Sequence, residues 1–117
     1  MFKLIVLAKR RPGMTREEFR DYYEKHHAVL VRNLTPLMRK YRRNYLAPLT
    51  GTGPLPGTEQ EPPFDCVTEA WFDRAEDFQR TVAQLAAQPE KTAALASDEE
   101  QLFDRATIRM FAAQEAD

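Results

Sequence analysis

The two histidines of the chain are neighbours, His26 and His27. An imidazole takes or gives a proton near neutral pH, so either one could serve as a general acid or base. Both lie in a stretch, 16–33, whose apolar residues Phe19, Tyr23, Leu30 and Leu34 recur at helical spacing. Adjacent side chains on a helix diverge by about 100°, which leaves each histidine roughly 50° from the centre of that stripe, on opposite sides. Periodicity does not choose between them. The plain alternative for either is a hydrogen-bonded core histidine that orients the helix.

Carboxylates come next. In FDCVTEAWFD, residues 64–73, Phe64, Cys66, Thr68, Ala70 and Phe72 alternate with Asp65, Val67, Glu69 and Trp71. The first set suits packing beneath helices. The second mixes apolar bulk with two carboxylates, as a pocket wall does. Asp65 or Glu69 could act as an acid or base if burial raises its pKa, or could form an ordinary ion pair with His27 or Arg43. Asn44 and Tyr45 stand mid-strand, where they could bond a substrate carbonyl or serve the core. Trp71 reads as a pocket wall.

Other chemistries are not supported. Glu24 and His27 have the Glu-x-x-His spacing of di-iron bundles, but it occurs once and Glu24 lies off the stripe, so no metal is expected. Cys66 is the only cysteine, faces the helices and has no evident basic partner. The glycines at 51, 53 and 57 are followed by no Lys-Ser/Thr and open no helix, so they make no phosphate loop. No cofactor is expected.

The elements that must position these groups follow from pattern. Residues 2–9 read as a strand with Phe2, Leu4, Val6 and Ala8 on one face and Ile5 and Leu7 on the other. A strand apolar on both faces is covered on both. After the turn Arg11-Pro12-Gly13, Thr15 and Glu18 form a capping box that starts a helix over 16–33, ended by Pro36. A second strand is expected over 41–47, a Pro/Gly-rich loop over 48–63 and the third strand over 64–73. A helix over 75–87 buries Phe78, Val82 and Leu85. Pro89 interrupts it, and a short helix over 90–96 precedes a solvated turn at Asp98, Glu99 and Glu100. The last strand is 106–112. The order β-α-β-β-α-β is the ferredoxin-like arrangement, an α+β fold with a four-stranded antiparallel sheet and helices on one face. The other face then needs a cover, and a second copy of the chain is the simplest one.

Composition fits one globular domain of 117 residues with a net charge of −1. That balance speaks against nucleic acid, which demands a concentrated basic surface; the cluster Arg39, Lys40, Arg42 and Arg43 reads as a solvated strand end. The apolar run Leu4–Ala8 is too short to span a membrane. One cysteine permits no intrachain disulfide, and a cytoplasmic location is expected.

The segments LIVLAKRRPGMTREEFRDYYEKHHAVLV, DCVTEAWFDRAEDF and DEEQLFDR resemble the corresponding parts of EthD-like proteins. The resemblance implies a dimeric α/β-barrel, in which two four-stranded sheets face each other. Its wider fold group includes cofactor-free monooxygenases, polyketide cyclases, muconolactone isomerases and dehydratases, along with larger haem enzymes. Tyr22, Tyr23, His27 and Ala28 match the pattern around the family's helix-1 histidine, so the resemblance chooses His27. Val29 stands where many relatives have proline, and Cys66 where many have glycine.

The resulting expectation is a homodimeric enzyme that moves protons on a small, apolar, carbonyl-bearing molecule, by isomerisation, cyclisation or elimination. His27 carries the proton and Asp65 assists. Tyr23, Asn44 and Tyr45 orient the substrate, with Glu69 and Trp71 beside it. A non-catalytic module that shelters an apolar metabolite and a cofactor-free oxygenase are the alternatives.

Overall fold

In the computed structural model, which describes residues 1–57 and 60–116, the two-faced first strand is central. β1 (Phe2–Arg10) lies between β3 (Cys66–Phe72) and β4 (Phe103–Ala113), and β2 (Lys40–Tyr45) flanks β3. All neighbours are antiparallel, in the order β2-β3-β1-β4. The register pairs Val6 with both Thr68 and Met110, and Thr68 with Arg43. One face therefore carries Leu4, Val6, Tyr41, Tyr45, Thr68 and Ala70. The opposite face carries Ile5, Leu7, Asn44, Val67, Glu69 and Phe111.

The helices lie on the Leu4–Val6 face, where Phe78 stacks on Phe2 at 5.3 Å between centroids. The first helical rod starts at the capping box: the Glu18 amide donates to Thr15 Oγ1 at 3.1 Å and the Thr15 amide to Glu18 Oε1 at 2.9 Å. The preceding turn needs Gly13, whose φ is +83°, a conformation glycine adopts without steric cost. The rod comprises α1 (Arg16–Tyr22), a π turn (Tyr23–His27) and α2 (Ala28–Leu34). Phe19 anchors it in the core with edge contacts to Tyr23, Tyr45 and Phe103 at 5.8–6.0 Å.

On the C-terminal side, α3 (Ala75–Ala86) is followed by α4 (Pro89–Leu102). The expected short helix and solvated turn are instead one helix of 14 residues. Pro89 is its first residue, where proline's missing N–H costs nothing, and so it starts a helix rather than breaking one. Fully buried Leu102 fixes the other end, and its carbonyl accepts from the Arg11 amide at 2.9 Å. The Pro/Gly-rich segment 48–63 forms no helix or strand among its described residues, and Thr58 and Glu59 lie outside them. No helix among the described residues is long and apolar enough to cross a membrane.

Candidate functional site

The π turn decides between the two histidines. At its end the Ala28 amide donates to the carbonyl of Tyr23, five residues back, so the turn is wider than an α-helical one. Tyr23 and His27 thereby share the inward face, their rings in edge contact at 5.2 Å. His27 is 4% exposed, whereas His26 is turned outward against the Tyr22 ring.

His27 Nδ1 is 2.7 Å from Asp98 Oδ2 on α4, and the other oxygen of Asp98 accepts from the Tyr22 hydroxyl at 2.6 Å. Burial, then the adjacent Asp98 carboxylate, pushes the Tyr22 phenol up to about 12, so it remains a donor. A ring nitrogen facing a carboxylate carries the proton, which places the neutral ring's lone pair on Nε2. Nε2 has no hydrogen-bond partner among the described residues. It is the nitrogen available to a ligand.

His27 borders a cavity of about 220 Å³ between the helices and the sheet. Leu4, Val6 and Ala70 line it from the sheet, and Val31, Val82 and Leu85 from the helices. That volume is just under the roughly 300–1,000 Å³ of typical small-molecule sites, so the occupant is small. Tyr23 also lines it, its hydroxyl 2.6 Å from Thr68 Oγ1. Burial raises the Tyr23 phenol well above its ordinary value and pushes Tyr41, also in the lining, up to about 12. Both are neutral hydroxyls at any physiological pH. Glu99, one residue after Asp98, also lines it, as do Thr35 and Thr81.

The structure brings together two of the seven residues singled out by sequence, His27 and Tyr23. Asp65 is not the partner of His27. It precedes β3, and its carboxylate accepts from the Arg10 amide at 2.8 Å and the Arg10 guanidinium at 2.7 Å, clamping the end of β1. Asn44, Glu69 and Trp71 lie across the sheet from the cavity. Asn44 donates to Glu69 at 2.9 Å, and Glu69 pairs with Lys3. The Trp71 ring is covered by the Lys3 and Lys40 ammonium groups, each 4.7 Å from its centroid, and its Nε1 donates to Glu115 at 2.6 Å. Tyr45 faces the helices but donates to Glu24, outside the cavity lining. The basic cluster is divided: Arg39 binds Asp73, Lys40 caps Trp71 and Arg43 binds Glu24. Burial pushes the Cys66 thiol up to about 11, which leaves it un-ionised near neutral pH.

Asp98 and Glu99 are the residues that sequence reasoning missed. The signal was present. Leu95, Asp98, Glu99 and Leu102 follow the i, i+3, i+4, i+7 pattern of one helical face, legible once Pro89 is taken as a start.

Glu24 has a structural role with a testable pH signature. Two bonds from the Arg43 guanidinium at 2.7 Å, with a further one from Tyr45, hold its carboxyl down at about 2. The folded value lies below the ordinary 4.5, so this contribution is complete above about pH 4.5 and disappears as pH falls to 2. Glu24→Gln is expected to lower the melting temperature at pH 7, with the gap from wild type closing between pH 4.5 and 2. A gap that stays constant over that range would contradict the assignment.

A sequence model described as the EthD domain matches residues 11–106. No curated protein sequence matches the chain. Among solved structures, an EthD family protein of Bacillus halodurans is 16% identical, with a TM-score of 0.64 and coverage of 99% of this chain and 100% of that one. The Arabidopsis thaliana protein At3g17210 is 13% identical, with a TM-score of 0.63 and coverage of 100% and 97%. A Bacteroides fragilis protein described as dimeric, of unknown function and ferredoxin-like fold, is 18% identical, with a TM-score of 0.51 and coverage of 96% and 91%. At these identities the structural likeness establishes the fold.

Proposed function

The chain belongs to the EthD domain family, and from that premise we propose that it is a cofactor-independent acid–base enzyme acting on a small, apolar, carbonyl-bearing molecule held in the cavity. One observation carries this reading. His27, bonded through Nδ1 to Asp98 at 2.7 Å, lines a largely apolar cavity and keeps Nε2 free of any hydrogen bond among the described residues. Buried hydrogen-bonded orientation of an imidazole is the arrangement that general-base chemistry uses. In the reaction, a C–H bond next to the carbonyl breaks. Its proton passes to Nε2, its electron pair forms a C=C bond, and the carbonyl π pair moves to oxygen. Return of the proton to a different atom isomerises the molecule; alternatively the oxygen pair re-forms the carbonyl, the C=C pair shifts to the α–β bond, and a β-hydroxyl leaves with the Nε2 proton as water. Tyr23 shapes the wall against which the ligand rests.

The test is exchange of α-protons for deuterium in acetophenone and cyclohexanone, followed by proton NMR in D₂O. Wild-type protein should accelerate exchange, and His27→Gln should not. Retention of the ketones with no accelerated exchange would overturn the reading and make the chain a binding module.

The same proposal includes a cytoplasmic homodimer formed through the open sheet face. Ile5, Leu7, Val67 and Phe111 support it, with Phe111 at 53% exposure in the single chain, together with the dimeric description of the Bacteroides fragilis relative. Sedimentation at micromolar concentration should give a dimer, and Leu7→Glu a monomer. A monomeric wild type would contradict it.

A further inference from the structure

Among the described residues that line the cavity, Glu99 is the only carboxylate, and there is no lysine or arginine. Asp98 and Glu99 are adjacent on α4, yet their surroundings differ. Asp98 accepts hydrogen bonds on both oxygens. Among the described residues the Glu99 carboxyl accepts none, and its one ion-pair contact is with the Arg105 guanidinium at 3.7 Å. The groups that face it are His27 on the π turn, Asp98 on its own helix and Arg105 on β4. Burial raises its carboxyl above the ordinary value despite the opposing pull of His27 and Arg105. In its protonated form this cavity-lining carboxyl, which accepts no hydrogen bond among the described residues, has an O–H free to donate to a ligand.

We propose that Glu99 donates its O–H to the carbonyl oxygen of the molecule whose α-proton His27 Nε2 accepts, so that the substrate is an uncharged, enolisable carbonyl compound and not a carboxylate. This rests on the acid–base reading above. As the C–H bond breaks towards Nε2, the carbonyl oxygen gains the Glu99 proton. The products of the step are a neutral enol, an imidazolium beside Asp98 and a Glu99 carboxylate. Charge is conserved, and the new ion pair forms inside the site. A carboxylate ligand would bring a second negative charge into an apolar cavity whose imidazole is already engaged by Asp98, and such a charge is costly to bury.

Two probes of similar size test this, acetophenone and benzoate. Wild-type protein should bind acetophenone at least about tenfold more tightly than benzoate at pH 7, a ratio worth about 1.4 kcal/mol. Glu99→Gln, which keeps the volume and a donor but has no proton to give, should retain acetophenone binding and lose exchange by on the order of 10²-fold. Glu99→Leu should lose exchange too, and circular dichroism checks that both variants fold. In wild type, acetophenone binding should weaken as rising pH ionises Glu99, and in Glu99→Gln this dependence should disappear. That comparison does not depend on turnover. Wild-type exchange in both Glu99 variants, or benzoate binding as tight as acetophenone, overturns the proposal even where His27→Gln is inactive. Undiminished exchange in His27→Gln overturns the acid–base reading itself.

Discussion

His27→Gln is expected to fold and to bind acetophenone while losing about 10²–10⁴-fold of the exchange rate, the range that a positioned general base contributes. Glutamine is the informative replacement because its amide can still donate to Asp98, whose Oδ2 lies 2.7 Å from His27 Nδ1. Alanine would also empty part of the wall and leave a partly buried carboxylate one donor short, a penalty of about 1–3 kcal/mol that would blur chemistry with stability. With Gln, the amide can keep that contact while the basic nitrogen is gone. The signature is therefore a fall in rate at unchanged ketone affinity. His26→Gln is the control, because His26 lies outside, its ring tilted against Tyr22 at 4.8 Å between centroids. Loss of exchange in the His26 variant with retention in the His27 variant would reverse the assignment.

The contrast between these histidines also marks where sequence pattern stops. Strand β1 was legible on both faces because alternation along a strand has a fixed period of two. The capping box at Thr15 and Glu18 was legible because its geometry is local. The stripe of Phe19 and Tyr23 was legible up to the π turn, and there a wider turn shifts the phase by an amount that no count of apolar residues contains. Asp65 was misplaced for a related reason. Extending β3 by one residue puts Asp65 on the face of Glu69, but the strand starts at Cys66, and Asp65 turns to Arg10 instead. Pro89 and the acidic run both resemble a turn, and this hides the helix over 89–102 from pattern alone. Its inward stripe brings Asp98 under His27, a contact 71 residues apart in sequence that only tertiary packing creates.

The location of the cavity was likewise a three-dimensional fact. Alternation revealed two apolar faces of the sheet but not which one encloses space. The carboxylates and Trp71 made the Glu69 face look like the pocket wall. In the structure that face is occupied by ion pairs and by cations over the indole. On the other face, small and aliphatic side chains such as Ala70 and Val6 fail to fill the gap beneath the helices, and the cavity remains.

Asp98→Asn is the second large effect, and it separates positioning from bulk structure. Asp98 is not among the described residues that line the cavity. It acts through His27, by holding the Nδ1 proton and by stabilising the imidazolium that appears during exchange. Asparagine preserves shape and can still accept from Tyr22, but its amide group can also present N–H to Nδ1. The ring then favours the tautomer with its proton on Nε2, where it cannot act as a base. Exchange should fall by about 10²-fold or more, towards the loss known for such tautomer changes, with ketone affinity unchanged. Nitrogen-15 NMR of the imidazole reads the cause directly: the Nε2 signal should move from the unprotonated range towards the protonated one. Asp98→Glu, which restores a carboxylate at a displaced position, should recover part of the rate and the original tautomer. A purely structural Asp98 would give the opposite pattern, with lower melting temperature in Asp98→Asn but an unaltered tautomer and rate per folded molecule. That result would remove Asp98 from the acid–base apparatus and leave His27 to act alone.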